Sequence, residues 1–236
     1  VRVIRGIRKL MFVEIVLERD KDDPQRIFES LNSTGTDLTP ADLIRNYMLM
    51  RLDPNLQKKM YQDYWMKIER LATKGENTKS QVDLFIRDFL TIKTKEIPLK
   101  RNVYRDYKKF YTYKDKKTLE DTMKEIKNFA NHYNKLINPG NEPDVEIRNQ
   151  IKLVTNLGVD VCFPFFLNIY NDYANHVIDK KTLIGILELI QSYIWRRFIV
   201  GIPTQGLDRI FARLYDSHDA SNYLTSISKS LIKMTG

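Results

Sequence analysis

The chain has 236 residues, 42% of them hydrophobic, and a net charge of +9, so it can bury a substantial core as one large helical domain or two smaller ones. Its positive balance favours a polyanionic partner, either nucleic acid or an acidic protein surface. A single cysteine, Cys162, excludes an internal disulfide, no stretch approaches the roughly 18–20 continuous apolar residues of a membrane span, and no secretory signal opens the sequence, which sets the expectation of a cytoplasmic protein without membrane contact.

In residues 1–10, Val3, Ile4, Ile7 and Leu10 are interleaved with Arg2, Arg5, Arg8 and Lys9 at the spacing of an amphipathic helix with a basic face. Val13, Ile15 and Leu17 then alternate with Glu14, Val16 and Glu18, which predicts a strand over residues 12–17. A lone strand leaves its backbone unpaired, so it needs partners. Asp22 or Asp23 can cap a helix starting at Pro24, with Ile27, Phe28 and Leu31 on one face. That helix runs into the polar loop Asn32, Ser33, Thr34 and Gly35, where Gly35 can take a positive φ. Thr39 and Asp42 form a capping box around Pro40, and Arg45 lies one turn further on. Two readings of this loop stand side by side: a well-made helix-loop-helix corner, or a phosphate or sugar site seated on free helix amides with Arg45 nearby. No Walker A loop and no G-x-G-x-x-G occurs.

Asp53 and Pro54 cap a long helix with Leu56, Met60, Tyr64, Ile68 and Leu71 as its stripe and Tyr61 and Trp65 beside it. Ser80 and Asp83 match a second capping box, opening a helix with Val82, Phe85, Ile86, Phe89 and Leu90 inward and closed by Pro98. Residues 101–117 interleave Arg101, Arg105, Lys108, Lys109, Lys114, Lys116 and Lys117 with Tyr104, Tyr107, Tyr111 and Tyr113. This pattern suits phosphate contact with base stacking, or a surface helix whose tyrosine rings are buried and whose lysines are solvated. Thr118 and Asp121 give a third capping box, for a helix through Leu119, Met123, Ile126, Phe129, Tyr133 and Leu136. Residues 138–144, with two Pro and a Gly, are the candidate subdomain boundary.

Beyond it, Ile147, Ile151, Val154 and Leu157 predict a short helix stopped by Gly158, and the apolar run 161–173 predicts a central buried helix. Asp179 opens a long helix with Leu183, Ile186, Leu187, Ile190, Ile194 and Phe198 inward, ending at Gly201. Arg196 and Arg197 sit in its last turn, suited to the helix dipole, to DNA phosphate or to a further domain. Thr204 or Asp208 leads a shorter helix, and residues 223–234 start another. His132, His176 and His218 lack partners at metal-ligand spacing, and no carboxylate pair stands out, so no catalytic residue and no metal ligand is assigned.

The run I-F-E-S-L-N-S-T-G-T-D-L-T-P-A-D-L-I-R-N-Y, preceded by the predicted strand, resembles the segment after the nuclease-like core in the GmrSD family of type IV, modification-dependent restriction endonucleases. The stretch from Tyr193 to Phe211, Y-I-W-R-R-F-I-V-G-I-P-T-Q-G-L-D-R-I-F, resembles the same proteins in order and spacing. The resemblance implies an upstream ParB/sulfiredoxin-like domain with an Asp-Gly-Gln-Gln-Arg motif tied to nucleotide hydrolysis, and a downstream HNH nuclease domain. Neither motif occurs between Val1 and Gly236, so the chain is expected to be an internal fragment.

The expected fold is therefore mainly α, a multi-helix bundle with one N-terminal strand left over from a truncated ParB-like domain. Residues 1–35 end that domain, 36–138 form one helical subdomain, and 139–236 form a second that leads toward an HNH domain. The expected function is the helical body of such an enzyme, positioning DNA and coupling NTP hydrolysis to cleavage while inactive by itself. NTP and a divalent metal are implied only for the whole family architecture, and homo-oligomers are compatible with it. Asn32, Ser33, Thr34, Gly35 and Arg45 are the candidate nucleotide or phosphate residues; Arg101, Arg105, Lys108, Lys109, Arg196 and Arg197 are the candidate nucleic-acid contacts. The alternative is a non-catalytic helical interaction module whose basic surface meets an acidic protein.

Overall fold

The structure, a computed structural model, describes residues 2–11, 14, 38–50, 52–75, 80–112, 116–219 and 222–235. The chain divides into two compact units, Val1–Leu38 and Thr39–Gly236. In the first, α1 (Arg2–Ile7) is the described element. Of the strand expected at residues 12–17, only Glu14 is described, and it has no regular structure. Among the described residues no strand occurs, only an isolated antiparallel bridge between Thr73 and Ser80. The fold is mainly helical, and the expected N-terminal strand has no support. The predicted helix from Pro24 and the loop Asn32, Ser33, Thr34 and Gly35 lie outside the described residues.

The second unit starts with α2 (Pro40–Leu49), and its capping box forms as the sequence dictates: Thr39 Oγ1 accepts from Asp42 N at 3.2 Å while Thr39 N donates back to the Asp42 carboxylate at 3.4 Å. Next come α3 (Pro54–Met60), a π turn (Tyr61–Trp65) and α4 (Met66–Leu71) in one continuous rod, with Asp53 capping its start. The π turn contains one residue more than an α turn, so the buried face passes from Met60 to Trp65 and then Ile68. The predicted stripe places Tyr64 inward and Trp65 beside it; in the structure Trp65 is fully buried and Tyr64 is half-buried.

The helix α5 (Val82–Thr94) buries Phe85, Ile86, Phe89 and Leu90 as its periodicity predicts. Its predicted capping box does not close on itself. Asp83 instead accepts a 2.8 Å hydrogen bond from Ala41 N, so one orphan amide in the first turn of α2 is satisfied by α5. Replacing Asp83 by Ala is expected to cost about 1 kcal/mol in urea denaturation. Replacing Ser80, whose hydroxyl meets only Val82 N at 3.3 Å, should move the midpoint less.

A 3-10 turn (Lys100–Asn102) leads into α6 (Val103–Phe110), and α7 (Lys116–Ile137) follows. Because α7 already starts at Lys116, Thr118 lies inside its first turn and not at the predicted cap. The polar residues 138–144 form a turn whose Asp144 caps α8 (Val145–Thr155) by accepting from Glu146 N and Ile147 N. The apolar cluster runs without a break from Ala41 to Leu231, across this turn.

At the centre lies α9 (Phe163–Ala174), which buries Phe163, Phe165, Phe166, Leu167, Ile169 and Tyr170, as its apolar circumference predicts. It packs against α5 and α7 from earlier in the chain and against α10 (Lys180–Ile199) and α11 (Leu207–Leu214) from later in it. The last helix, α12 (Tyr223–Thr235), lies on α10 and α11. Gly185 lets Leu224 approach α10, since a Cβ there would sit 3.1 Å from Leu224 Cδ2.

Candidate functional site

Helix α6 is amphipathic in a particular way. Val103 and Tyr107 point into the core, and Tyr107 donates from its hydroxyl to Met48 Sδ at 3.3 Å. Arg105, Lys108 and Lys109 follow at spacings of three and one residues, which puts them on the opposite, outward face, and Arg101 stands exposed in the 3-10 turn just before the helix. Arg101, Arg105 and Lys109 are exposed, Arg105 leans on its neighbour Asp106 at 3.4 Å, and Lys108 Nζ sits 4.5 Å from the centre of the Tyr104 ring. The structure thus brings these four candidates together as a basic stretch. It also removes two of the tyrosines as stacking platforms, because Tyr107 is fully buried and Tyr104 is half-buried beneath Lys108, whereas Phe110 at the end of the helix is exposed.

Arg196 and Arg197 belong to another part of the bundle. Helix α6 packs mainly on α2 and α5, whereas α10 packs on α8, α9 and α12. Arg196 is exposed. Arg197 folds back, donating from Nη1 to Tyr193 Oη at 3.3 Å and from Nη2 to the Pro203 carbonyl at 2.7 Å, with its guanidinium over the Tyr193 ring. Phe198, predicted to face inward, is 74% exposed. Trp195, Ile199 and Val200 are also exposed around it, a surface that sequence periodicity missed.

Arg45 does not present a free charge. Its guanidinium pairs with Asp42 at 2.9 Å and with Glu69 at 3.2 Å, and Glu69 also accepts from Trp65 Nε1 at 2.7 Å. Two carboxylates beside one arginine satisfy it and repel a phosphate. Arg45 is thus engaged within the bundle, while Asn32, Ser33, Thr34 and Gly35, proposed with it for a phosphate, lie outside the described residues. Among the described residues, no group of three or more His, Cys, Asp or Glu is placed to hold a metal ion.

Buried polar groups form two clusters that the sequence reading did not anticipate. In one, the buried Asp172 accepts from Tyr215 Oη at 3.0 Å and from Tyr223 Oη, fastening α12 to α9. Burial, reinforced by the Asp172 charge, pushes the Tyr215 hydroxyl up to about 12. In the other, the buried Glu142 accepts from Tyr170 Oη and pairs with Lys135 at 3.1 Å. His132 lies beside this pair, 5.3 Å ring to ring from Tyr170, and neither of its ring nitrogens reaches an acceptor or donor in good geometry. Burial first, and the Lys135 charge second, hold its pKa down at about 4.

Two further groups are perturbed by burial. Desolvation pushes the half-buried Asp88 up to about 8, with the Arg87 charge opposing. Burial also raises the Cys162 thiol, which meets the Val159 carbonyl at 2.8 Å, so it is a packed side chain and not a nucleophile.

No protein-family model matches this chain, and no curated protein and no solved structure matches it.

Proposed function

We propose that this chain is the helical body of a modification-dependent DNA restriction enzyme of the GmrSD type, and that it contributes contact with duplex DNA while the chemistry is performed elsewhere. The observation that carries this reading is the basic stretch at α6, with Arg105, Lys108 and Lys109 on the outward face of a helix anchored by Val103 and Tyr107 and Arg101 exposed in the turn before it. Cations fixed on a rigid rod suit a regular row of phosphates. Tyr107 lies in the core and Tyr104 beneath Lys108, so the reading rests on the cations and the phosphate backbone and not on stacking by these tyrosines. In this reading, nucleotide turnover and strand cleavage belong to flanking domains of the family architecture, and this body couples them mechanically.

Titrating a fluorescent 20-base-pair duplex across a salt series tests the proposal. Affinity is expected to fall steeply with salt, and a variant with Arg101, Arg105, Lys108 and Lys109 all changed to Gln should flatten the log–log slope by about 0.9 for each lost phosphate contact. Absence of binding at low salt, or a slope indifferent to the four substitutions, would sink it.

A further inference from the structure

The C-terminal end of α10 carries a second surface, independent of any DNA contact by α6. Over its first four turns α10 buries Leu183, Ile186, Leu187, Ile190 and Ile194. Beyond Ile194 the apolar residues continue but the cover does not: Trp195 is 51% exposed, Phe198 and Ile199 74% each, and Val200 67%. Trp195 and Phe198 line a cleft of about 390 Å³ whose walls also include Leu157, Val159, Ile194, Ile202 and Leu207. Large apolar side chains clustered in solvent around an apolar cleft mark a place where another molecule is covered.

The charges around the cleft specify what covers it. From Leu189 through Leu207 the chain contains no Asp or Glu, while Arg196 and Arg197 stand in the middle of the apolar patch. Among the described residues, no carboxylate pairs with either arginine. Arg197 lines the cleft, its Nη atoms meet only the neutral oxygens of Tyr193 and Pro203, and its Nε is buried without an acceptor. A partly buried guanidinium without a counter-charge is costly, and a carboxylate brought by a partner relieves that cost. A second copy of the chain does not supply it: a two-fold pairing through this surface sets the same cations against each other on chains of net charge +9.

We propose that this cleft docks an acidic amphipathic helix of a different protein, with a bulky apolar residue seated between Phe198 and Leu207 and carboxylates meeting Arg196 and Arg197. Its apolar face follows the helix-in-groove pattern of anchors on successive turns.

Trp195 reports on the site directly, because the only other tryptophan, Trp65, is fully buried in another part of the bundle. The probe is a library of tryptophan-free helical peptides with Leu, Ile, Val or Phe on one face and either Glu or Lys flanking it, selected against the whole chain. Selection of Glu-flanked peptides is expected, with a blue shift of Trp195 emission on binding. Affinity should fall about tenfold or more with Phe198→Ser, and likewise with Arg196→Glu; both residues are exposed, so both variants should fold. Selection of Lys-flanked peptides, no selection, or binding unmoved by Phe198→Ser would overturn the proposal. So would self-association in sedimentation that Phe198→Ser abolishes, which assigns the surface to a second copy. Partition of Trp195 into phosphatidylcholine vesicles in the absence of peptide would overturn it in favour of a lipid surface.

Discussion

Replacing Trp65 by Ala lowers the unfolding free energy by about 3–5 kcal/mol, the usual range for removing a large aromatic side chain from a closed core. Trp65 is fully buried at the end of the π turn, and its Nε1 donates to Glu69, the carboxylate that also receives Arg45 of α2. The substitution therefore opens a cavity and loosens the junction between α2 and α4 together. Trp65→Phe separates the two effects: it keeps most of the volume and forfeits the hydrogen bond, at about 0.5–3 kcal/mol. Guanidinium titrations followed by circular dichroism measure both, and a Trp65→Ala variant within 1 kcal/mol of the parent would contradict the burial described here.

His132 gives the second large effect, and its sign follows from its pKa. The folded-state value of about 4 lies below the ordinary 6.5, so the neutral ring is the form that fits the fold. Its contribution is fully present above pH 6.5 and is lost as the pH falls from 6.5 toward 4. Two and a half pKa units correspond to about 3 kcal/mol. Unfolding free energies of the parent and of His132→Phe, measured from pH 8 to pH 4, should diverge by about that amount in the variant's favour on the acid side. Phenylalanine keeps the ring contacts with Phe129 and Tyr170 and has no proton to accept. Glu142 and Lys135 are present in both proteins, so the difference curve isolates the imidazole. Parallel curves would show that the ring is solvated at its nitrogens.

Helix positions were legible in the sequence because most turns repeat the same arithmetic. Leu183, Ile186, Leu187, Ile190 and Ile194 recur at helical spacing and are buried; Asp53 and Asp179 each precede an apolar run, and each caps a helix. The exceptions have specific causes. An added residue in the π turn leaves no local signature, so Trp65 and Tyr64 exchange the roles their spacing assigns. Asp83 satisfies a sequence pattern for a local box, yet Ala41 N offers it a partner from 42 residues away.

Phe198 continues the inward stripe of α10, but a stripe is buried only as far as neighbours extend. Twenty residues make α10 about 30 Å long, while the 11 residues of α8, on which it chiefly packs, reach about 16 Å. The candidate sites divide in the same way. The basic face of α6 follows from spacing alone, whereas the pairing of Arg45 with Glu69 depends on two helices meeting. The exposed end of α10 depends on where a partner helix stops.

The central position of α9 has a consequence for biosynthesis. The apolar faces of α5 and α7 close on a helix that a ribosome delivers only after them, with Phe163 emerging 26 residues after the last residue of α7. Until then those faces remain open on the nascent chain. The polypeptide must wait for its own middle before these faces can close, and α9 in turn waits for α10 and α11, so the core is completed only late in the chain.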